Sequence, residues 1–282
     1  MAIEIKLPNE ELNLEKAQKQ IHEPDYHDII PHLKTLAYGA KKIETKLKIK
    51  PKKDSIIVVG FPGFGFVATI AIEYLVDHLK THSLGYMWSP RLAAAAFVHQ
   101  GKVLRPLEIF HNDKYNIILI EAISGISGLE WEITEAILEL YKKINAKEII
   151  CIEGVNAPMV AKEPQVYFYA NNPHTAKSIE SLNIKQIKDG VIFGVAGALM
   201  MKAEKNVNAS FFFAETHSDL PDSRAAAKVI EILDKYLKLD IDYKPLLKRA
   251  AEFEARIQKV IEKAKTAVAA KKEKEAELPY IG

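Results

Sequence analysis

Four short runs are apolar at almost every position: SIIVVG from Ser55, YNIILIEA from Tyr115, KEIICIEG from Lys147 and ASFFFAET from Ala209. A strand with one wet face alternates between apolar and polar residues, because successive side chains point to opposite sides. Runs without that alternation are strands covered on both faces. Helical periodicity fills the stretches between and beyond them, at 66–80, 130–144, 196–204 and 223–237. Strand and helix in turn make an α/β domain, and the expected architecture is a mostly parallel sheet with helices on both faces. Weaker strand signals are SLGYMW, VYFYA and KVLRPLEIF, the last interrupted by Pro106. Asp222 or Ser223 is placed to cap the final helix by accepting bonds from its free amides.

The pattern divides the 282 residues into four parts. Residues 1–54 form a charged N-terminal extension containing Pro8, Pro24, Pro31 and Pro51, and residues 55–242 form the α/β core. In residues 243–277, Leu246, Ala250, Phe253, Ile257 and Val260 recur at alternating steps of four and three, continuing through Ala264 and Ala267. That is the coiled-coil period and predicts an oligomerising helix. The alternative is a helix packed back on its own domain. Residues 278–282, Leu278-Pro279-Tyr280-Ile281-Gly282, form an apolar tail beyond the charged tether KKEKEAE, which suits a peptide offered to a partner.

Charge excludes some partners. Lys and Arg total 39 against 37 acids, a net charge of +2, so no basic field draws nucleic acid. No run approaches the ~20 apolar residues that cross a bilayer, and no membrane partner is expected. The N-terminus has no apolar core of a secretory signal, and Cys151 is the single cysteine, so the expected location is the cytoplasm.

The turn Gly60–Phe66 carries Gly60, Gly63 and Gly65 between a strand and a helix, the glycine pattern of dinucleotide folds. Such folds also need an acid about 20 residues on for the ribose hydroxyl. Here the second strand ends in Ser89-Pro90-Arg91, and Phe61, Phe64 and Phe66 crowd the turn with rings. A structural turn is the favoured reading. No phosphate-binding lysine loop, cysteine pair or HExxH occurs, and the nine histidines show no ligand spacing, so no cofactor and no metal are expected. Cys151 reads as a small buried hydrophobe, Ser124 and Ser127 do not form a nucleophile elbow, and His217 reads as a loop histidine. One constellation stands out. Glu121, Glu153 and Glu215 each close a predicted parallel strand, at the sheet edge where α/β ligand sites gather. They read either as a metal-binding or proton-sharing group, or as caps and ion-pair partners of neighbouring loops.

The order and spacing of VVGFPGFGFVATIAIEYLVDHL, YNIILIEA, EAILELYKKINAKEIICIEG, GVIFGVAGALMMKAEKNVNASFFFAET and PDSRAAAKVIEILDKYLKLDIDYKPLLKRAAEFEARI cover residues 55–257. Together they resemble the proteasome assembly chaperone family, in particular relatives of the second eukaryotic chaperone and their archaeal homologues. The resemblance implies a phosphorylase/hydrolase-like α/β fold without an active site, homo- or hetero-oligomers, and proteasome α-subunits or the core particle as partners. It also implies that Gly60, Gly63 and Gly65 are structural. Members often dock through a C-terminal hydrophobic–tyrosine–any-residue motif, whereas here Tyr280 is third from the end. A non-enzymatic assembly factor is thus the leading expectation, and an enzyme using the strand-end glutamates is the alternative.

Overall fold

The computed structural model describes residues 42–92, 97–99, 102–123, 125–156, 163–203, 206–216 and 220–248. In chain order these form β1 (Glu44–Leu47), β2 (Ile56–Gly60), α1 (Val67–His78), β3 (His82–Trp88), β4 (Phe97–His99), β5 (Lys102–Leu104), β6 (Leu107–Asn112) and β7 (Ile117–Ala122). There follow α2 (Glu130–Ile144), β8 (Glu148–Asn156), β9 (Val166–Ala170), α3 (Pro173–Glu180), β10 (Lys185–Gln186), α4 (Gly194–Lys202), β11 (Ala209–Thr216) and α5 (Ser223–Leu237).

Nine strands build one sheet in the order β1-β3-β6-β7-β2-β8-β11-β9-β10, and β4 and β5 pair separately. The four apolar runs are its centre: β7, β2, β8 and β11 are mutually parallel. The wings correct the expected mostly parallel sheet. β6 runs antiparallel to β7, β3 to β6, β1 to β3 and β9 to β11, so the sheet is mixed. The β6–β7 reversal has a simple cause. Only residues 113–116 join the two strands, and a parallel crossover needs a dozen or more. Asn112 Oδ1 tightens that turn by accepting the Tyr115 amide at 2.8 Å. Pro106 splits KVLRPLEIF into β5 and β6, as a residue without an amide proton does.

Adjacent residues of the central strands enter opposite cores. Val58, Leu119, Ile150 and Phe212 pack under α1 and α5, whereas Ile57, Ile118, Ile149 and Phe211 pack under α2 and α4. This is the period-2 geometry of a strand buried on both sides. α2 and α5 have the expected bounds, and Asp222 caps α5 by accepting the Ala225 amide. α3 carries no long apolar period. Its start is set by Asn172, whose side chain accepts the His174 and Thr175 amides, and by Pro173 in the first turn.

β1 lies within the segment assigned to the extension, yet it pairs along β3, and Ile43 beside it is buried. The contacts divide the chain between Lys41 and Lys42, and residues 1–41 lie outside the described residues. At the other end, residues 244–248 are helical, and Leu246 is buried in the α1/α5 core while Leu247 is 41% exposed. Tyr74 donates its hydroxyl to the Asp242 carbonyl at 2.6 Å, holding this segment against α1. The remaining heptad positions Ala250, Phe253, Ile257 and Val260, and the tail residues Leu278, Tyr280, Ile281 and Gly282, lie outside the described residues.

Burial of Leu246 within its own chain has a measurable consequence. Leu246→Ala is expected to lower stability by about 2–4 kcal/mol, read from urea unfolding of the full chain. The loss should not vary with protein concentration, whereas a residue serving only a seam between chains gives a concentration-dependent loss.

Candidate functional site

The carboxyl ends of β2, β8 and β11 meet under the glycine turn. β2 stops at Gly60, where an added Cβ would lie 2.8 Å from Ile72 and 2.9 Å from the Ala68 carbonyl, so strand and helix pack close. A tight turn over Phe64–Phe66 follows, closed by the Phe66 amide on the Gly63 carbonyl at 3.0 Å. Gly65 has φ +61°, a left-handed conformation that costs glycine nothing. Phe66 also lies in the left-handed region, at φ 49°, where a bulky residue is strained.

The turn presses on the strands beneath it. A Cβ on Gly154 would sit 2.1 Å from the Phe64 carbonyl oxygen, and one on Gly65 would sit 2.5 Å from Thr216 Oγ1. A Cβ on Gly63 would meet Glu153 Oε1 at 2.2 Å. In a dinucleotide fold the glycines leave room for a pyrophosphate at this place. Here the carboxyl group of Glu153 fills that room, and a pyrophosphate cannot share the space. The three glycines do the work of close packing.

A groove of about 1430 Å³ opens beside the turn, lined by Phe64, Phe66, Glu153, Tyr167, Phe193 and Glu215 among others. Of the three expected carboxylates, the fold brings two together. Glu153 and Glu215 follow Cys151 and Phe213 onto the α2/α4 face, on paired strands β8 and β11. Glu121 follows Ile117 and Leu119 onto the α1/α5 face and lies across the strand pair from Glu108. The trio is therefore divided by the sheet itself. Alternation decides this, since strand-end position says nothing about which face a side chain takes.

The three differ in environment. Burial pushes Glu153 up to about 8, offset only by the Gly154 amide, so it holds its proton at neutral pH. Burial also raises Glu121 to about 7, with Glu73, Asp77 and Glu108 adding repulsion. Glu215 accepts the Tyr167 hydroxyl at 3.0 Å, and this bond raises the Tyr167 phenol. Cys151 is buried and its thiol is pushed up by desolvation, as suits a core residue. Ser127 is exposed, while Ser124 and His217 lie outside the described residues.

The groove also has an apolar rim that sequence reading missed. Val191 is 75% exposed, Phe193 73%, Phe64 44% and Phe66 41%, whereas Phe61 is buried. The sequence showed the turn's rings, but nothing in their spacing separates the buried ring from the exposed ones.

The raised carboxyl of Glu153 links stability to pH. The folded chain keeps this proton to about pH 8, while an unfolded chain releases it near 4.5. Its favourable contribution is full below the lower value and is lost as pH rises through the higher one. Glu153→Gln is expected to equal the parent near pH 4 and exceed it by up to about 5 kcal/mol near pH 9, measured by urea unfolding at constant ionic strength. Parallel profiles for the two proteins would place this carboxyl in water.

Residues 57–261 match the model of the PAC2 family. PbaA of Pyrococcus furiosus, an archaeal homologue of proteasome-assembly chaperone, has a crystal structure similar to this one at TM-score 0.75 and 30% identity, covering 86% of this chain and 100% of that one. PbaB of the same organism, an archaeal proteasome activator, shares the fold at TM-score 0.69 and 23% identity over 78% of this chain and 99% of its own. An uncharacterised protein of Methanocaldococcus jannaschii is 26% identical over 226 residues, 78% of this chain and 91% of that protein. This chain belongs to the PAC2 family.

Proposed function

We propose that this chain is a non-enzymatic, proteasome-assembly-chaperone-like factor that binds proteasome α-subunits or the core particle and acts as an oligomer in the cytoplasm. One observation carries the reading: the edge where an α/β enzyme receives its anionic ligand is filled by Glu153 under Gly63, and the same edge offers Phe64, Phe66, Val191 and Phe193 to solvent. Exposed aromatic and branched side chains around a recess are what a polypeptide partner buries. Similarity to PbaA supports the choice of partner. In this reading Ala250, Phe253, Ile257 and Val260 associate between chains, and Leu278, Tyr280, Ile281 and Gly282 supply a second, peptide-like contact.

Two measurements test it. Binding to purified proteasome α-subunits should fall at least tenfold in the double variant Phe64→Asp/Phe193→Asp and separately in Tyr280→Ala, by surface plasmon resonance. Retention of full affinity in both would remove both contacts. Light scattering should give an oligomer for the full chain and a monomer for a chain ending at Lys248, the cut that keeps Leu246. Monomers in both cases would end the oligomer reading.

A second reading rests on Glu153 and Glu215, one protonated at neutral pH and the other bonded to Tyr167 in a shared groove. That pair suits acid–base chemistry on a phosphorylase-like scaffold. It requires a small ligand, and a ligand that binds only the folded state raises its melting temperature. The assembly-factor reading expects no shift with nucleosides, phosphate or divalent ions that depends on Glu153 and Glu215.

A further inference from the structure

Far from the groove, the start of β3 and the end of β6 bring two histidines together. His82 and His111 are direct cross-strand partners, and their rings stand nearly perpendicular with centroids 5.5 Å apart. Asp113, the first residue of the β6–β7 turn, completes the group. Its Oδ2 is 3.6 Å from His82 Nδ1 and its Oδ1 is 3.6 Å from His111 Nδ1. The three donor atoms all lie within 4.8 Å of one another.

A neighbour determines which nitrogen of His111 faces the aspartate with a lone pair. Asn116 donates its Nδ2 hydrogen to the Lys53 carbonyl at 2.9 Å, which orients the amide. Its Oδ1 then faces His111 Nε2 at 3.3 Å and can only accept. The neutral ring therefore carries its proton on Nε2 and turns the Nδ1 lone pair toward Asp113. Two acceptors facing one another repel unless a cation stands between them. An imidazole held by an outer carbonyl through one nitrogen, with the other free, is the usual arrangement of a metal-ligating histidine. His111 is buried, whereas the side chains of His82 and Asp113 are 44% and 62% exposed, so an ion can enter from solvent.

We infer that His82, His111 and Asp113 form a three-ligand site for a divalent first-row transition ion of the zinc class. Donors of a tetrahedral ion lie about 3.4 Å apart when each is about 2.1 Å from the metal. The two histidine–aspartate separations of 3.6 Å are within a few tenths of that spacing, and all three donors lie within 4.8 Å of one another, so side-chain rotations close the site. Two imidazoles select zinc, cobalt, nickel or copper over magnesium and calcium, which prefer all-oxygen shells. Three protein ligands leave a fourth position to water. Lys52, whose ammonium is 3.3 Å from Asp113 Oδ1, neutralises the carboxylate without the ion, and its side chain is exposed enough to swing away. Bound there, the ion clamps β3 to the β6–β7 turn. The histidines are far apart in sequence, which is why spacing gave no sign of them.

The test uses the full chain stripped with EDTA and dialysed. Isothermal titration with zinc should show a saturable site lost or weakened at least tenfold in His82→Ala and in Asp113→Asn. Both residues are exposed, so these variants keep the fold. Cobalt should produce a visible absorption band in the parent and not in the variants, and magnesium should produce no heat. Zinc binding of equal strength in both variants, or no saturable binding in the parent, would overturn the assignment and leave a histidine–aspartate ion pair.

Discussion

The close contact between the turn after β2 and the ends of β8 and β11 organises this fold. At Gly154 the backbone of β8 passes directly under the Phe64 carbonyl, with no room for a side chain. The Asp222 amide donates to the Gly65 carbonyl at 2.8 Å, and its carboxylate accepts both the Ala225 amide and the Thr216 hydroxyl. One turn is thereby joined to two central strands and to the start of α5. The strained Phe66 is carried by this over-determined packing, which is how left-handed bulky residues persist. The groove and its apolar rim are the outer surface of the same contact.

Acids buried at the sheet margins differ in how they are satisfied. Glu148, at the opposite end of β8 from Glu153, accepts the Ser210 hydroxyl at 2.5 Å and the Tyr236 hydroxyl at 3.0–3.1 Å. Burial raises it, and these bonds pull it back. That is a structural carboxylate with its lone pairs occupied. Glu153 has one backbone amide, and Glu108 Oε2 has no partner among the described residues. A raised carboxyl in a groove is a mark of catalytic sites, yet here the glycine turn covers it. Desolvation of this kind prepares a proton donor in an enzyme, and at a close-packed junction it keeps the carboxyl neutral.

Two different ends of the sheet thus present different chemistries. The carboxyl edge of the parallel strands is apolar and ring-rich, suited to a polypeptide. At the far end, the hairpin β6–β7 and the start of β3 gather imidazole and carboxylate, suited to an ion.

Much of the scaffold was legible in residue order. Four apolar runs could only be strands covered on both faces, and α2 and α5 announced their bounds through apolar period and Asp222, whereas KVLRPLEIF read as one weak strand and divides at Pro106 into β5 and β6. Such features are local, because a strand's burial and a helix's face are written in neighbours two to four residues apart. Three things needed the folded chain. The sheet is mixed beyond the short β6–β7 hairpin because pairing direction at β3 and β9 depends on which edges remain free. Glu121 parts from Glu153 and Glu215 because residue parity, counted from packing on each strand, assigns the face. His82 meets His111 because the register of β3 on β6 places them opposite, a relation between distant segments that no spacing along the chain encodes.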